Sequence, residues 1–185
     1  MSPWFYTMEN CREIQTANRF LGSCLEAGLK VNDLRKALPK HPTLEWQYRD
    51  MKQVQGIVIH HSGGWEKATA AGIAYWCIEK REFVGMPYSL YIHWPNGEID
   101  WCLDFEQIGW HCKGCNDSTF GVALAGSWVD KDPPLSMIDS LARLIDVLWD
   151  FFMLEVNNAL WVNPHFDVSQ TQCPGRVWEA YQEYE

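Results

Sequence analysis

Ile57-Val58-Ile59-His60-His61-Ser62-Gly63-Gly64 follows Gly56. Three β-branched residues in succession suit a pleated backbone buried on both faces. Ser62, Gly63 and Gly64 then break the run. The stretch predicts a short buried strand over residues 57–61, with two histidines at its end.

The downstream pattern builds a sheet around that strand. Residues 66–80 place Ala70, Ile73, Ala74, Trp76 and Cys77 on one helical stripe. Tyr88 to His93 reads as a strand, Pro95-Asn96-Gly97 as a hairpin turn and Glu98 to Leu103 as the return strand. Phe120 to Ala125 is another apolar strand, closed by Gly126. Ser136 with Asp139 three residues later resembles a capping box. Ile138, Leu141, Ala142, Ile145, Leu148, Trp149 and Phe152 then form a long amphipathic helix. Pro174 opens a last helix through Val177, Trp178, Tyr181 and Tyr184. Strands mixed with helices on this scale predict an α/β fold: a single mixed central sheet flanked by helices.

Upstream, Ile14, Ala17, Phe20, Leu21, Cys24 and Leu25 recur at helical spacing, and Gly28 is a plausible stop. Asn32 or Asp33 could cap a second short helix through Leu34 and Leu38, ended by Pro39. Residues 1–50 thus read as a helical N-terminal appendage, either a small separate binding element or, as the apolar stripe favours, helices packed on the sheet, and residues 51–185 as the main domain.

Composition narrows the function. The 185 residues are 47% hydrophobic and 21% charged, which fits one globular domain. A net charge of -9 with no basic block argues against a nucleic-acid partner. No apolar run approaches ~18 residues, so no membrane insertion is expected. Eleven Trp can fill a core or line a groove that stacks sugars or peptides. The residues after Met1 show neither a basic nor an apolar leader region, which predicts a cytoplasmic chain. Its seven Cys then read as core filler or metal ligands, not disulfides.

Three clusters could carry chemistry. Adjacent strand residues point to opposite faces, so only one of His60 and His61 can serve a given site. His165 and Cys173 lie eight apart in a loop-like stretch before a helix, and imidazole with thiolate suits zinc. With one strand histidine they make three ligands and an open position, which is a catalytic pattern. In His111-Cys112-Lys113-Gly114-Cys115, a CxxC with no second pair reads as a loop beside the site, with His111 facing the cleft.

The same landmarks occur in one order. They are Ile57 to Ser62, Pro87-Tyr88-Ser89-Leu90-Tyr91-Ile92, Asn96-Gly97-Glu98-Ile99, Gly109-Trp110-His111, Phe120 to Gly126, His165-Phe166-Asp167-Val168 and Cys173-Pro174-Gly175. This set resembles the zinc-dependent N-acetylmuramoyl-L-alanine amidases, over roughly residues 54–182. That superfamily includes phage lysozyme-type amidases, bacterial type 2 amidases and peptidoglycan recognition proteins. The resemblance implies a Zn2+ ion on His60, His165 and Cys173, and a catalytic role for Tyr88. The position two before the cysteine is a catalytic Lys in the phage enzymes and often Thr elsewhere; here it is Thr171, which the resemblance makes the second candidate catalytic residue, offering a weaker hydrogen bond. Trp65, Trp110 and His111 are the expected substrate contacts.

The implied activity is hydrolysis of the amide between N-acetylmuramic acid and L-alanine in peptidoglycan or a muropeptide. A monomeric phage or prophage endolysin, cytoplasmic before release and then acting on the wall, fits the missing leader. A cytosolic muropeptide-recycling amidase is the alternative: Trp110-His111 and the Cys115-Asn116-Asp117 stretch are similar to those enzymes, which carry Asp where this chain has Cys173. A non-catalytic peptidoglycan-binding module or zinc domain is the further rival. No general base is apparent.

Overall fold

The computed structural model describes residues 8–184, with side chains described from residue 13. The expected appendage begins in residues 1–7, which lie outside the described residues. The elements run α1 (Met8–Glu26), β1 (Val31–Asp33), β2 (Gly56–His61), α2 (Ala70–Arg81), β3 (Leu90–Ile92), β4 (Ile99–Trp101), β5 (Thr119–Leu124), α3 (Leu135–Val156), β6 (Trp161–Pro164), α4 (His165–Val168) and α5 (Val177–Tyr184). The strands form one mixed six-stranded sheet in the order β1-β4-β3-β5-β2-β6. β2 pairs parallel with both β5 and β6. Both its faces are covered, so every residue from Gly56 to His61 is buried. Its apolar run matches that position.

The N-terminal segment belongs to the same core. α1 ends in a left-handed turn at Gly28 (φ 74°): Leu29 N–H donates to Cys24 O and Gly28 N–H to Leu25 O. These two bonds satisfy last-turn carbonyls, and a residue without a Cβ takes the positive φ freely. Phe20 of α1 packs edge-on against Trp101, Phe105 and Phe151, with ring centroids 4.8, 5.2 and 5.5 Å away. Arg19 pairs with Glu155 of α3. α3 in turn contacts α5 and β3. Among the described residues no helix is long and apolar enough to cross a membrane.

Three local expectations are corrected. Leu34–Leu38 is not a helix. Val31–Asp33 adds to the sheet edge instead, in parallel register with Ile99–Trp101. The Asp33 carboxylate, expected as a helix cap, accepts from Arg35 N–H and Nε across a turn. Open backbone groups on β4 outweigh a weak local helix signal. The capping box at Ser136 does not form: the N-cap is Pro134, Ser136 Oγ donates to Pro95 O, and Asp139 pairs with Arg143. The stretch around His165 is more ordered than a loop, because β6 pairs with β2 and leads straight into the short α4.

Tryptophan divides between the core and the surface. Trp101 and Trp128 are core residues, whereas Trp65, Trp76 and Trp149 are exposed.

Candidate metal centre

Register brings the first two donors together. Ile59 of β2 faces Pro164 of β6, so the next residues, His60 and His165, stand side by side. Their ring centroids are 4.4 Å apart. Cys173 arrives from the loop before α5. Thr171 Oγ1 accepts from Cys173 N–H at 3.2 Å, which folds the loop back. Gly175 (φ 64°) then lets the chain press on Trp128, whose carbonyl an added Cβ would meet at 2.3 Å. Arg176 N–H donates to that same carbonyl at 2.8 Å. His60 Nδ1 and Cys173 Sγ lie 3.6 Å apart. The ligand atoms of His60, His165 and Cys173 all fall within 4.8 Å of one another, and this cluster could hold a metal ion.

The donor chemistry suits a cation. Burial, reinforced by the neighbouring histidines, holds His60 well below its ordinary range, and burial lowers His165 too. Both imidazoles are therefore neutral near pH 7, with lone pairs to offer. Burial pushes the Cys173 thiol up to about 12. A thiolate there needs a compensating cation, and His61 N–H, donating to Sγ at 3.3 Å, supplies only part of that. Two imidazoles and one thiolate fit a borderline-soft divalent ion and leave a coordination position open.

The remaining predicted residues take distinct places. Strand alternation turns His61 away, and its Nδ1 accepts from Trp128 N–H at 3.1 Å. Tyr88 lies two residues before β3, its ring 5.1 Å from that of His60. Burial, with the charge of Cys173, raises the Tyr88 phenol far above its ordinary range. Trp110 packs edge-on against Phe83 at 5.3 Å. Trp65 is 70% exposed and Thr171 is also exposed. His111, expected to face the cleft, lies buried beside His60. It is 8% exposed, and its Nδ1 lies 3.0 Å from His60 Nε2. The reason sits opposite: a Cβ on Gly121 would meet His111 Cγ at 3.0 Å and Tyr88 Cδ1 at 3.1 Å. The missing side chain makes room for the imidazole to slip beneath His60.

A cleft of about 710 Å³ lies elsewhere, lined by Glu13, Arg35, Tyr48, Asp104 and neighbours. Its charges are largely self-paired, Arg35 with Asp33 and Asp104. It shares no residue with the candidate metal cluster.

Residues 50–176 match the family model described as N-acetylmuramoyl-L-alanine amidase. The chain belongs to that amidase family. Solved structures similar to it include the endolysin N-acetylmuramoyl-L-alanine amidase LysCS from Clostridium intestinale URNW, with 23% identity, a TM-score of 0.65 and coverage of 84% of this chain and 95% of that one. Drosophila peptidoglycan recognition protein SA aligns with 19% identity and a TM-score of 0.68, over 84% of this chain and 91% of that one. The Ph2119 endolysin of the Thermus scotoductus MAT2119 bacteriophage gives 16% identity and a TM-score of 0.67, over 82% and 99%. Likeness at these identities shows a common fold, not a common activity. A comparison with curated proteins gives no match.

One further expectation is corrected. Cys112 and Cys115 were not expected to pair, yet they form a disulfide, with Cα atoms 5.5 Å apart. The expectation rested on compartment, whereas the pairing follows from a tight local turn with Gly114 at φ 94°. The loop has other anchors: Asn116 Oδ1 accepts from Cys112 N–H at 2.7 Å, and Thr119 Oγ1 donates to Cys115 O at 2.7 Å. The double change Cys112→Ser, Cys115→Ser is therefore expected to keep the metal stoichiometry and near-normal amide hydrolysis. Closing so short a loop stabilises by about 2 kcal/mol at most, a modest drop in melting temperature. Metal analysis beside a thermal melt checks this; loss of a metal equivalent would assign the pair a ligand role.

Proposed function

We propose that the chain is a zinc-dependent hydrolase of the amide between N-acetylmuramic acid and L-alanine of the peptidoglycan stem peptide. The observation that carries the reading is the convergence of His60, His165 and Cys173 on one point, with Tyr88 beside them. Family membership supports it. Two of the similar structures are peptidoglycan recognition proteins in complex with tracheal cytotoxin, which supports a muropeptide as ligand. A donor set complete to the thiol, together with the tyrosine, favours hydrolysis over recognition alone.

His60, His165 and Cys173 would hold the zinc ion. When bound, zinc supplies a Lewis acid that polarises a carbonyl and brings the pKa of water down from 15.7 to about 7. The chain's own groups do the rest. Tyr88 stays protonated because burial disfavours phenolate, so its hydroxyl is a donor for the oxygen on which charge develops. Thr171 holds the loop that presents Cys173. Exposed Trp65 and half-buried Trp110 offer flat apolar faces to a glycopeptide.

We favour a lytic, endolysin-type role over muropeptide recycling, on the thiol ligand Cys173 and on the two endolysins among the similar structures. Mass spectrometry of products from polymeric peptidoglycan and from anhydro-muropeptides tests both levels. Free stem peptides beginning with L-alanine are expected from the polymer. Cleavage of glycosidic or peptide–peptide bonds instead would overturn the reaction, and cleavage confined to anhydro-muropeptides would reverse the role.

A further inference from the structure

His60 is held from behind by a chain of hydrogen bonds whose direction is fixed at its far end. His111 Nε2 lies 3.3 Å from Thr119 Oγ1 and 3.4 Å from Thr119 O; the hydroxyl gives its own proton to Cys115 O at 2.7 Å and a carbonyl only accepts, so both oxygens face Nε2 as acceptors. His111 therefore carries its proton on Nε2 and presents a bare Nδ1. That nitrogen, 3.0 Å from His60 Nε2, must accept. His60 then carries its proton on Nε2 and keeps Nδ1, the atom facing Cys173 Sγ, free as a ligand. Each step follows from the one before, so the tautomer of His60 is set by where the two oxygens of Thr119 stand.

The Thr119 carbonyl is itself gripped. Arg49 Nη1 donates to it at 2.6 Å and also donates to Asn116 O, while Arg49 Nε donates to Phe105 O at 3.2 Å. The guanidinium thus spans both ends of the segment that follows the disulfide. It is only 7% exposed, and among the described residues no carboxylate lies within ion-pair distance of it. Among the described residues its Nη2 has no hydrogen-bond partner. A buried cation without a paired anion is a costly strap. Its backbone is tied down too: Arg49 N–H donates to Glu106 O, and Ile108 N–H to Gln47 O. Arg49 lies just before the stretch that matches the amidase family, residues 50–176.

We infer that Arg49 is a positioning residue of the metal centre, acting through Thr119 and His111 to orient His60 Nδ1 toward the ion. The N-terminal segment thereby contributes to the site and does not merely cover the sheet. This rests on the proposed metal-dependent reading. It assigns Arg49 no contact with substrate or metal.

The experiment measures metal affinity by chelator competition and the absorption spectrum of the cobalt-substituted protein, in the parent, Arg49→Met and Arg49→Lys. Loss of a supporting hydrogen-bond partner weakens metal binding about 10- to 100-fold. Arg49→Met is expected in that range, with shifted cobalt bands. Arg49→Lys keeps the cation but has no second nitrogen to hold Phe105 O while the first holds the Asn116 and Thr119 carbonyls, so it shows a smaller loss in the same direction. In a His111→Gln background Arg49→Met is expected to add little, because the two act in series. Folded Arg49 variants with parent affinity and parent cobalt bands would overturn the inference, as would full additivity with His111→Gln. Where Arg49→Met fails to fold, Arg49→Lys decides by the same criterion. A parent that binds no metal overturns the metal-dependent reading and this inference with it. A parent that binds and cleaves, matched by its variants, overturns the role of Arg49 alone.

Discussion

Cys173→Ala is expected to lose the metal and the hydrolysis together, while the protein stays folded. Three donors define the cluster, and removing one leaves two imidazoles with no thiolate to match the ion's charge. The expected fall in affinity exceeds the roughly 10- to 100-fold that a supporting partner is worth. The fold should survive, because the lost group is one sulfur whose hydrogen-bond partners are the His61 backbone and the His60 ring. Proton linkage gives the same assignment a second reading. Burial holds the thiol protonated up to about 12, so below that pH each ion captured must expel one proton from Cys173. The imidazoles lie below their ordinary range and release none near pH 7. Affinity in the parent should therefore rise about tenfold per pH unit through the neutral range. Elemental analysis and chelator competition across pH check both. Metal retained at parent affinity in Cys173→Ala would remove the thiol from the ligand set.

What the sequence disclosed, and what it withheld, divides by range. β2, β5 and α3 are strongly patterned, and their apolar runs are read directly. The left-handed stop at Gly28 is equally local. β1 is not: Asn32 and Asp33 are poor strand formers, and they pair only because β4 offers an open edge. β6 hides for a related reason, since Asn163-Pro164 reads as a break and is tolerated on an edge strand. At the site, motif resemblance singled out the three donors, but their convergence depends on the parallel register of Ile59 with Pro164. The burial of His111 was not legible, because it depends on a side chain that is absent, at Gly121. Arg49 gave no signal at all. A lone arginine in a polar stretch reads as a surface charge, and only the fold of residues 105–119 around it shows otherwise.

Tyr88→Phe is expected to keep the metal and lose about 100- to 1,000-fold in kcat, or roughly 2.7–4 kcal/mol of transition-state stabilisation. The substitution removes one hydroxyl and leaves the ring that packs 5.1 Å from His60. A donor that matters only as charge develops lowers kcat and kcat/KM together and leaves substrate binding nearly unchanged. The phenol's displacement fixes the pH behaviour. Burial and the Cys173 charge raise it, so the neutral, donating form persists as pH climbs through 10. Steady-state kinetics on a soluble muropeptide, with zinc content measured in the same samples, separate the outcomes. Parent kcat in Tyr88→Phe would make Tyr88 an ordinary aromatic of the strand approach. Joint loss of zinc and activity would instead make it a prop for His60, because a hydroxyl that only stabilises charge has no hold on the ion.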